Sequence, residues 1–579
     1  MPEIQDFRVW APRPQQVDLL LSGGRSEPME RAEGGWWRLE VPVGRDERYA
    51  YSLDGGPARP DPRSPRQPDG VHGWSQRVDH DAFAWSDDGF EGVPWPRRMT
   101  YELHVGTFAP EGTFDAAAGH LGYLADLGIT HLSLMPVNAF PGGRGWGYDG
   151  VGLYAVFEPY GGPDGFKRFV DAAHRAGIGV VLDVIYNHFG PSGNYLPEFG
   201  PYLTSRYMTP WGDAPNLDQA DSDEVREYFL ENAVMWVRDY HLDGLRLDAV
   251  DHIFDSSALP FLEELNHRVK KAKSGTTLVG ETSSNDPRYF RSPERGGSGL
   301  DGIWSDEMHH ALHSAATAER TGYYVDYAGV EHVAKALCRG WVFDGQYSQY
   351  RRRRHGRPAE GAMATQFMAY TQTHDQVGNR ARGDRLCHQA GSGRAAAAAA
   401  VALLGPANPM VFMGEEWAAS TPFQYFCDHQ DEELSDAVRR GRQDEFRAFG
   451  WRPDDIPDPE AEETFLRSKL DWDEREHDGH ATMRKWYQDL IALRARHVGD
   501  DPRPFCRLED VAFDAQGEWV RFGHSGLVVL AVFAGAGGAI RLDGAAGGEP
   551  VLAWGDPQWD AGCGEIVFAK PGAAVWTGI

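Results

Sequence analysis

Residues 243–250 read DGLRLDAV, with Arg246 and Asp248 two apart inside an otherwise apolar run. Successive strand side chains alternate between faces, so Arg246 and Asp248 share one face while Leu245 and Leu247 take the other. A run that is apolar along its length and charged at its C-terminal end fits a strand of a buried parallel sheet whose chemistry lies at that end. Charge placed there costs free energy unless it is paired or used.

The pattern repeats on both sides of this stretch. Candidate strands run over 101–108, 131–137, 179–186, 244–250, 277–281, 302–305, 366–373 and 410–414. Helical stretches separate most of them, most clearly 164–176 and 222–240. The second carries Asp221/Ser222 as a cap with Glu224 behind it, and Val225, Phe229, Ala233, Trp236 and Tyr240 recur at helical spacing. Eight strands alternating with helices predict an α/β fold, a closed (β/α)8 TIM barrel over residues 94–500. The alanine run 395–400 reads as a strong helix former. Residues 1–93 hold short alternating runs such as Phe7–Trp10, Val17–Leu20 and Trp37–Glu40, which predict an immunoglobulin-like β-sandwich. The Pro- and Arg-rich stretch 57–68 predicts a long loop. Residues 501–579 return to short β runs, including Trp519–Phe522 and Leu527–Leu530, and predict a second sandwich.

The balance of 57 basic against 86 acidic residues gives a net charge of −29, which repels phosphate backbones and argues against a nucleic-acid partner. Five widely spaced cysteines without a CxxC pair argue against both a disulfide framework and a metal site, and suit a reducing cytoplasm. The first ten residues show no basic-then-apolar signal pattern, and no apolar run reaches the length of a membrane span, so no membrane is expected.

Ionisable groups cluster where the candidate strands end. The third ends Asp183-Val-Ile-Tyr-Asn-His188, the fourth Arg246-Leu-Asp248 with His252 soon after, the fifth Val279-Gly-Glu281, and the seventh Thr373-His374-Asp375. Singly, each has a plain explanation as a cap, a loop hydrogen bonder or a core histidine. Together they match the needs of retaining glycoside cleavage, which takes a carboxylate nucleophile and a carboxylic acid flanking an oxocarbenium-like transition state. Asp248 must stay ionised, and Arg246 on the same face favours that. Glu281 must hold a proton, so a raised pKa is expected from burial and nearby negative charge. Asp375 is placed to bind sugar hydroxyls, and His188 and His374 to donate to them.

The stretches DVIYNH, DGLRLD, VGE and THD, in this order and spacing, resemble the four signature regions of the α-amylase family of glycoside hydrolases. That resemblance implies Asp248 as nucleophile, Glu281 as acid/base and Asp375 as transition-state stabiliser. It also implies Arg246, His188 and His374 in the first sugar subsite, Tyr148 of GWGYDG as its stacking platform, and Asp183 as a structural partner. More of the barrel, including 102–117, 143–166, 189–202, 373–380 and 413–429, is similar to the maltooligosyltrehalose trehalohydrolase branch. The branch implies hydrolysis of the α-1,4 bond beside a terminal trehalose unit, with maltooligosyl trehalose or a related α-glucan as the partner molecule. Thr373 stands where the family usually has Asn, Asp251 where this branch often has another residue, and His252 is placed as in ordinary amylases; these departures bear on the contacts of the leaving-group side. Trp146, Trp417 and Phe423 lie in the branch-like loops, where a platform for the trehalose end competes with core packing; Trp146 is the best placed of the three, and His252 is a further candidate contact. The chemistry needs no cofactor, and no metal is predicted. An α-glucan branching transferase is the alternative reading, and a non-catalytic glucan-binding protein a more distant one that the three carboxylates oppose.

Overall fold

The computed structural model describes residues 3–447, 451–452, 455–499, 502–535, 539–542 and 548–578. Its centre is a closed parallel barrel of eight strands: β1 Thr100–Leu103, β2 His131–Leu134, β3 Gly179–Val184, β4 Gly244–Leu247, β5 Thr277–Glu281, β6 Gly302–Trp304, β7 Phe367–Ala369 and β8 Asn408–Phe412. Neighbours around the ring follow chain order, and β8 closes it against β1 with Val411 opposite Tyr101. Each expected strand is present; Thr277–Glu281 falls where expected, and the others are shortened at the C-terminal end or shifted by a few residues.

Register explains how the charges meet. Asp183 on β3 lies directly opposite Arg246 on β4, and Glu281 on β5 lies opposite Trp304 on β6. The two-residue period puts Val279 on the same face as Glu281. Val279, Trp304, Met368, Tyr370 and Met410 form one apolar cluster, and Arg246 rests over the Trp304 ring at 4.9 Å. The polar site therefore stands on an apolar floor.

The two clearest expected helices appear as Gly162–Arg175 and Ser222–Asp239. The cap of the second differs from expectation: Asp221 takes a left-handed conformation and its side chain makes no capping bond. The alanine run lies in the helix Ser392–Leu404, and all six alanines are buried. Small side chains let this helix pass closely between the barrel and the strands Leu527–Val532 and Gly572–Thr577. The run thus serves packing as well as helix propensity.

The N-terminal strands Glu3–Trp10 and Trp36–Val43 pair antiparallel, and Val17–Leu21 and Arg48–Leu53 pair in a second sheet. Within 57–68, Ala58–Arg59 makes a short strand against Tyr51–Ser52, and the rest is loop. Arg63 of this loop lies over the rings of Trp36, Tyr154 and Tyr228, joining the sheets to the barrel. Among the described residues no helix is long and apolar enough to cross a membrane.

Candidate active site

Arg246, at the C-terminal end of β4, is 2 % exposed and touches three carboxylates. Its Nη1 donates to both oxygens of Asp183 at 2.8 Å and to Asp248 Oδ1 at 2.7 Å, and its Nη2 lies 2.8 Å from Glu281 Oε2. Asn187 Nδ2 donates to the other Asp248 oxygen at 2.9 Å. Both oxygens of Asp248 are thus held by donors, which fix the orientation of the carboxyl. Burial lowers the pKa of the guanidinium, but the surrounding anions outweigh this and hold it well above its usual value. Burial pushes the Asp183 carboxyl up to about 7 against the pull of Arg246. These two shifts point opposite ways for the ion pair, and the paired 2.8 Å contacts favour the ionised form.

The Glu281 carboxyl is held well above its ordinary range. Burial raises its pKa most, the charges of Asp248 and Asp375 add to the rise, and Arg246 and the Ala249 N–H oppose it. The Ala249 N–H donates to Glu281 Oε2 at 2.9 Å. It is aimed by a left-handed backbone at Ala249 (φ 38°, ψ 59°), a conformation that carries strain for a residue with a Cβ. The turn that follows Asp248 at the end of β4 thereby supplies a donor to the neighbouring Glu281 carboxyl.

A second chain of bonds enters from β1. Glu102, buried in that strand, accepts from His374 Nδ1 at 2.5 Å and from the His374 backbone N–H at 3.0 Å. His374 Nε2 lies 2.8 Å from the Tyr148 hydroxyl, which donates to Asp183 Oδ2 at 2.6 Å. The order Glu102–His374–Tyr148–Asp183–Arg246 is consistent with an imidazolium that donates from both nitrogens. Burial alone would lower the His374 pKa, but Glu102 and Asp375 outweigh it and bring it up to about 9. A group raised on folding contributes stability that is complete below its ordinary pKa near 6.5 and is lost as pH rises through about 9. The melting temperature should therefore fall between pH 6.5 and 9, and His374→Gln should flatten that slope; equal slopes for both proteins would refute the linkage.

Asp375 begins the short helix His374–Gly378 and is 37 % exposed at the cleft. Asn379 Nδ2 donates to it at 3.1 Å, and Arg442 in turn donates to Asn379 Oδ1 at 3.1 Å. Thr373 is fully buried, and its hydroxyl accepts from the Asp375 N–H at 3.2 Å as the helix N-cap. This residue is spent on aiming the helix, not on contacting the cleft.

The comparisons with known proteins fit this geometry. Residues 77–208 match the family model "Alpha amylase, catalytic domain", and residues 2–65 match "Carbohydrate-binding module 48 (Isoamylase N-terminal domain)". A crystal structure of an alpha-amylase-type protein from Salmonella typhimurium superposes with a TM-score of 0.91 at 37 % identity, covering 100 % of this chain and 98 % of that one. A 1,4-alpha-glucan branching enzyme from Xanthomonas oryzae is 32 % identical, over only 54 % of this chain and 49 % of its own. The malto-oligosyltrehalose trehalohydrolase of Arthrobacter ramosus is 48 % identical over 98 % of this chain and 99 % of its own length. The chain belongs to the malto-oligosyltrehalose trehalohydrolase family.

Within this family member, the structure brings Asp248, Glu281, Arg246, Tyr148, His374 and Asp375 into one cleft at the C-terminal ends of the strands, and it corrects other expectations. Trp146 is 5 % exposed, stacks on Phe423 at 5.3 Å and donates its indole N–H to the Gln424 carbonyl at 3.0 Å. A Cβ on Gly378 would overlap its ring, so it lies packed beneath His374 and offers no face to a sugar. Trp417 and Phe423 are fully buried as well. Both nitrogens of His188 are spent inside the protein, Nδ1 on Asn187 at 2.8 Å and Nε2 on the Tyr148 carbonyl at 3.1 Å. His188 therefore braces the Tyr148 loop instead of presenting a free donor. Its ring also carries Trp211, stacked at 4.3 Å and 49 % exposed, whose edge meets His252. His252 keeps a buried Nδ1 without a partner among the described residues, and Asp251 accepts from Ser283 at 3.2 Å.

Sequence reasoning missed Asn187, Glu102, Trp211 and Asp306. Asp306 follows β6, accepts from Tyr370 at 2.8 Å and Gln376 at 2.7 Å, and is pushed up to about 6 by burial. Glu102 had a visible signal, a carboxylate inside the candidate strand that begins at Tyr101.

One cluster has the donor types of a metal site: atoms of Cys427, His429 and Glu460 lie within 4.8 Å of one another. Hydrogen bonds already account for it. The Cys427 thiol donates to Glu460 Oε1 at 3.3 Å, and His429 Nδ1 lies 2.8 Å from the same oxygen. Burial pushes the thiol pKa far up, which disfavours the thiolate a metal would need.

Proposed function

We propose that this chain hydrolyses, with retention, the α-1,4-glucosidic bond beside the terminal trehalose unit of maltooligosyl trehalose, releasing trehalose. The observation that carries the reaction class is the single guanidinium of Arg246 bound to Asp183, Asp248 and Glu281 at 2.7–2.8 Å. A shared guanidinium suits the close carboxyl pair, about 5–5.5 Å apart, of a retaining enzyme. The substrate assignment rests on near-full-length similarity to the Arthrobacter ramosus relative, whereas the branching enzyme matches about half of the chain.

In this reading Asp248 attacks the anomeric carbon while Glu281 gives its proton to the departing trehalose oxygen. Asp375 accepts from hydroxyls of the glucose being cleaved, Tyr148 supports its ring, and His374, with its two ring nitrogens spent on Glu102 and Tyr148, holds Tyr148 in place instead of donating to the sugar. Once Asp248 is esterified its negative charge is gone, and one cause of the high Glu281 pKa goes with it. Glu281 then serves as base, taking a proton from water, which attacks the same carbon and frees Asp248. The five cysteines stand as free thiols, which suits the proposed cytoplasmic setting.

Product analysis tests the assignment. Maltotriosyl trehalose should yield free trehalose and maltotriose, with much slower cleavage of plain maltopentaose. Transfer products alone, or equal rates on both substrates, would overturn it.

A further inference from the structure

Asp149 follows the platform residue Tyr148, and the mechanism above does not use it. Its side chain is 37 % exposed, and its ionic contact is His429 Nε2 at 3.7 Å. The backbone beneath it is fixed: a Cβ on Gly190 would sit 2.1 Å from the Asp149 carbonyl oxygen, and Gly190 donates to the Gly150 carbonyl at 3.2 Å. His429 is fixed as well. Its Nδ1 lies 2.8 Å from Glu460 Oε1, its backbone N–H donates to Glu460 Oε2 at 3.0 Å, and both side chains are at most 5 % exposed. Glu460 thereby claims the Nδ1 proton position and leaves Nε2 facing Asp149. The two loops are stitched further by Arg144, which donates to the Glu460 carbonyl at 2.7 Å, and by Gly143, which donates to Asp428 at 2.7 Å. A buried imidazole and a buried carboxylate thus stand behind one half-open acid beside Tyr148.

The order of strands around the ring says which sugar would meet it. Glu281 ends β5, and the leaving group must lie on the side of the acid that protonates it. Asp149 comes from the loop after β2, and His429 from the loop after β8, across the ring beyond Tyr148 and Asp183. That side receives the part of the chain retained on the enzyme.

We propose that Asp149 is a specificity-determining residue that accepts hydrogen bonds from the second glucose on the retained side of the cleaved bond, with His429, braced by Glu460, as its positioning residue. The assignment rests on the function proposed above. A carboxylate accepting from sugar hydroxyls makes charge-assisted bonds, which are the stronger kind and repay a fixed orientation.

The test compares glucosyl trehalose, which has one retained glucose, with maltosyl trehalose, which has two. In the wild-type chain the second glucose should raise kcat/KM, mostly through KM. Asp149→Asn should lower that advantage about tenfold or more. His429→Ala should lower the same ratio by a smaller factor. A structural role would reduce both substrates equally and leave the ratio intact, and that result overturns the assignment. Calorimetric binding of maltotriose gives a reading independent of turnover: about tenfold weaker binding to Asp149→Asn is expected, and unchanged binding overturns the proposal. Absence of trehalose release by the wild-type chain from either substrate would instead overturn the function itself, and this assignment with it.

Discussion

Asp248→Ala should lower turnover of maltooligosyl trehalose by at least about 10⁴-fold while the protein stays folded. The loss follows from what Asp248 does in the first step, where no other group is held at its place: Asn187 and Arg246 both donate to it, and neither can attack carbon. Truncation leaves those two donors without their acceptor, so some loss of stability accompanies the loss of rate. Asp183 and Glu281 still satisfy the guanidinium, which limits that cost. Circular dichroism and melting temperature separate the two effects. Added azide should restore cleavage of an activated glycoside in the alanine variant and give the glycosyl azide of inverted configuration. Activity within a hundredfold of wild type would refute the nucleophile assignment.

Glu281→Gln should behave differently with different leaving groups. Loss of proton donation should slow cleavage of the natural substrate by about 10²–10⁴-fold. An aryl glycoside with an acidic phenol needs no proton on departure, so formation of the glycosyl-enzyme should persist. Equal loss on both substrates would count against the acid role. The pH profile gives a second reading. Burial, with the charges of Asp248 and Asp375, raises the Glu281 pKa and favours the protonated acid, so the first step slows as pH rises through that pKa. The glutamine variant should lack this alkaline limb.

Much of this architecture can be read from the chain. The barrel strands announce themselves as apolar runs ending in charge, because a strand buried on both faces has nowhere else to place polar groups than its end. Arg246 and Asp248 share a strand, so their pairing follows from the two-residue period alone. Asp183 meets Arg246 only through register between two strands, and Glu102 meets His374 only because β1 closes the ring, 272 residues away in sequence. No local pattern carries such contacts. Trp146 shows the converse error. A tryptophan in a site-lining loop looks the same whether its ring faces sugar or Phe423, and Gly378, which admits it to the interior, lies over 200 residues further on. Asn187 sat unnoticed between more conspicuous neighbours, since an amide signals nothing until a carboxylate is known to face it.

The closed ring also bears on how this protein fails when heated. Frayed edges are where most sheets begin to come apart, and a ring has none. Asp183, Arg246 and Glu281 sit on three adjacent members of that ring, β3, β4 and β5, so no single terminal segment can detach and take the chemistry with it. Loss of activity and loss of the barrel should therefore be one cooperative event, with no warm, folded and silent state between them.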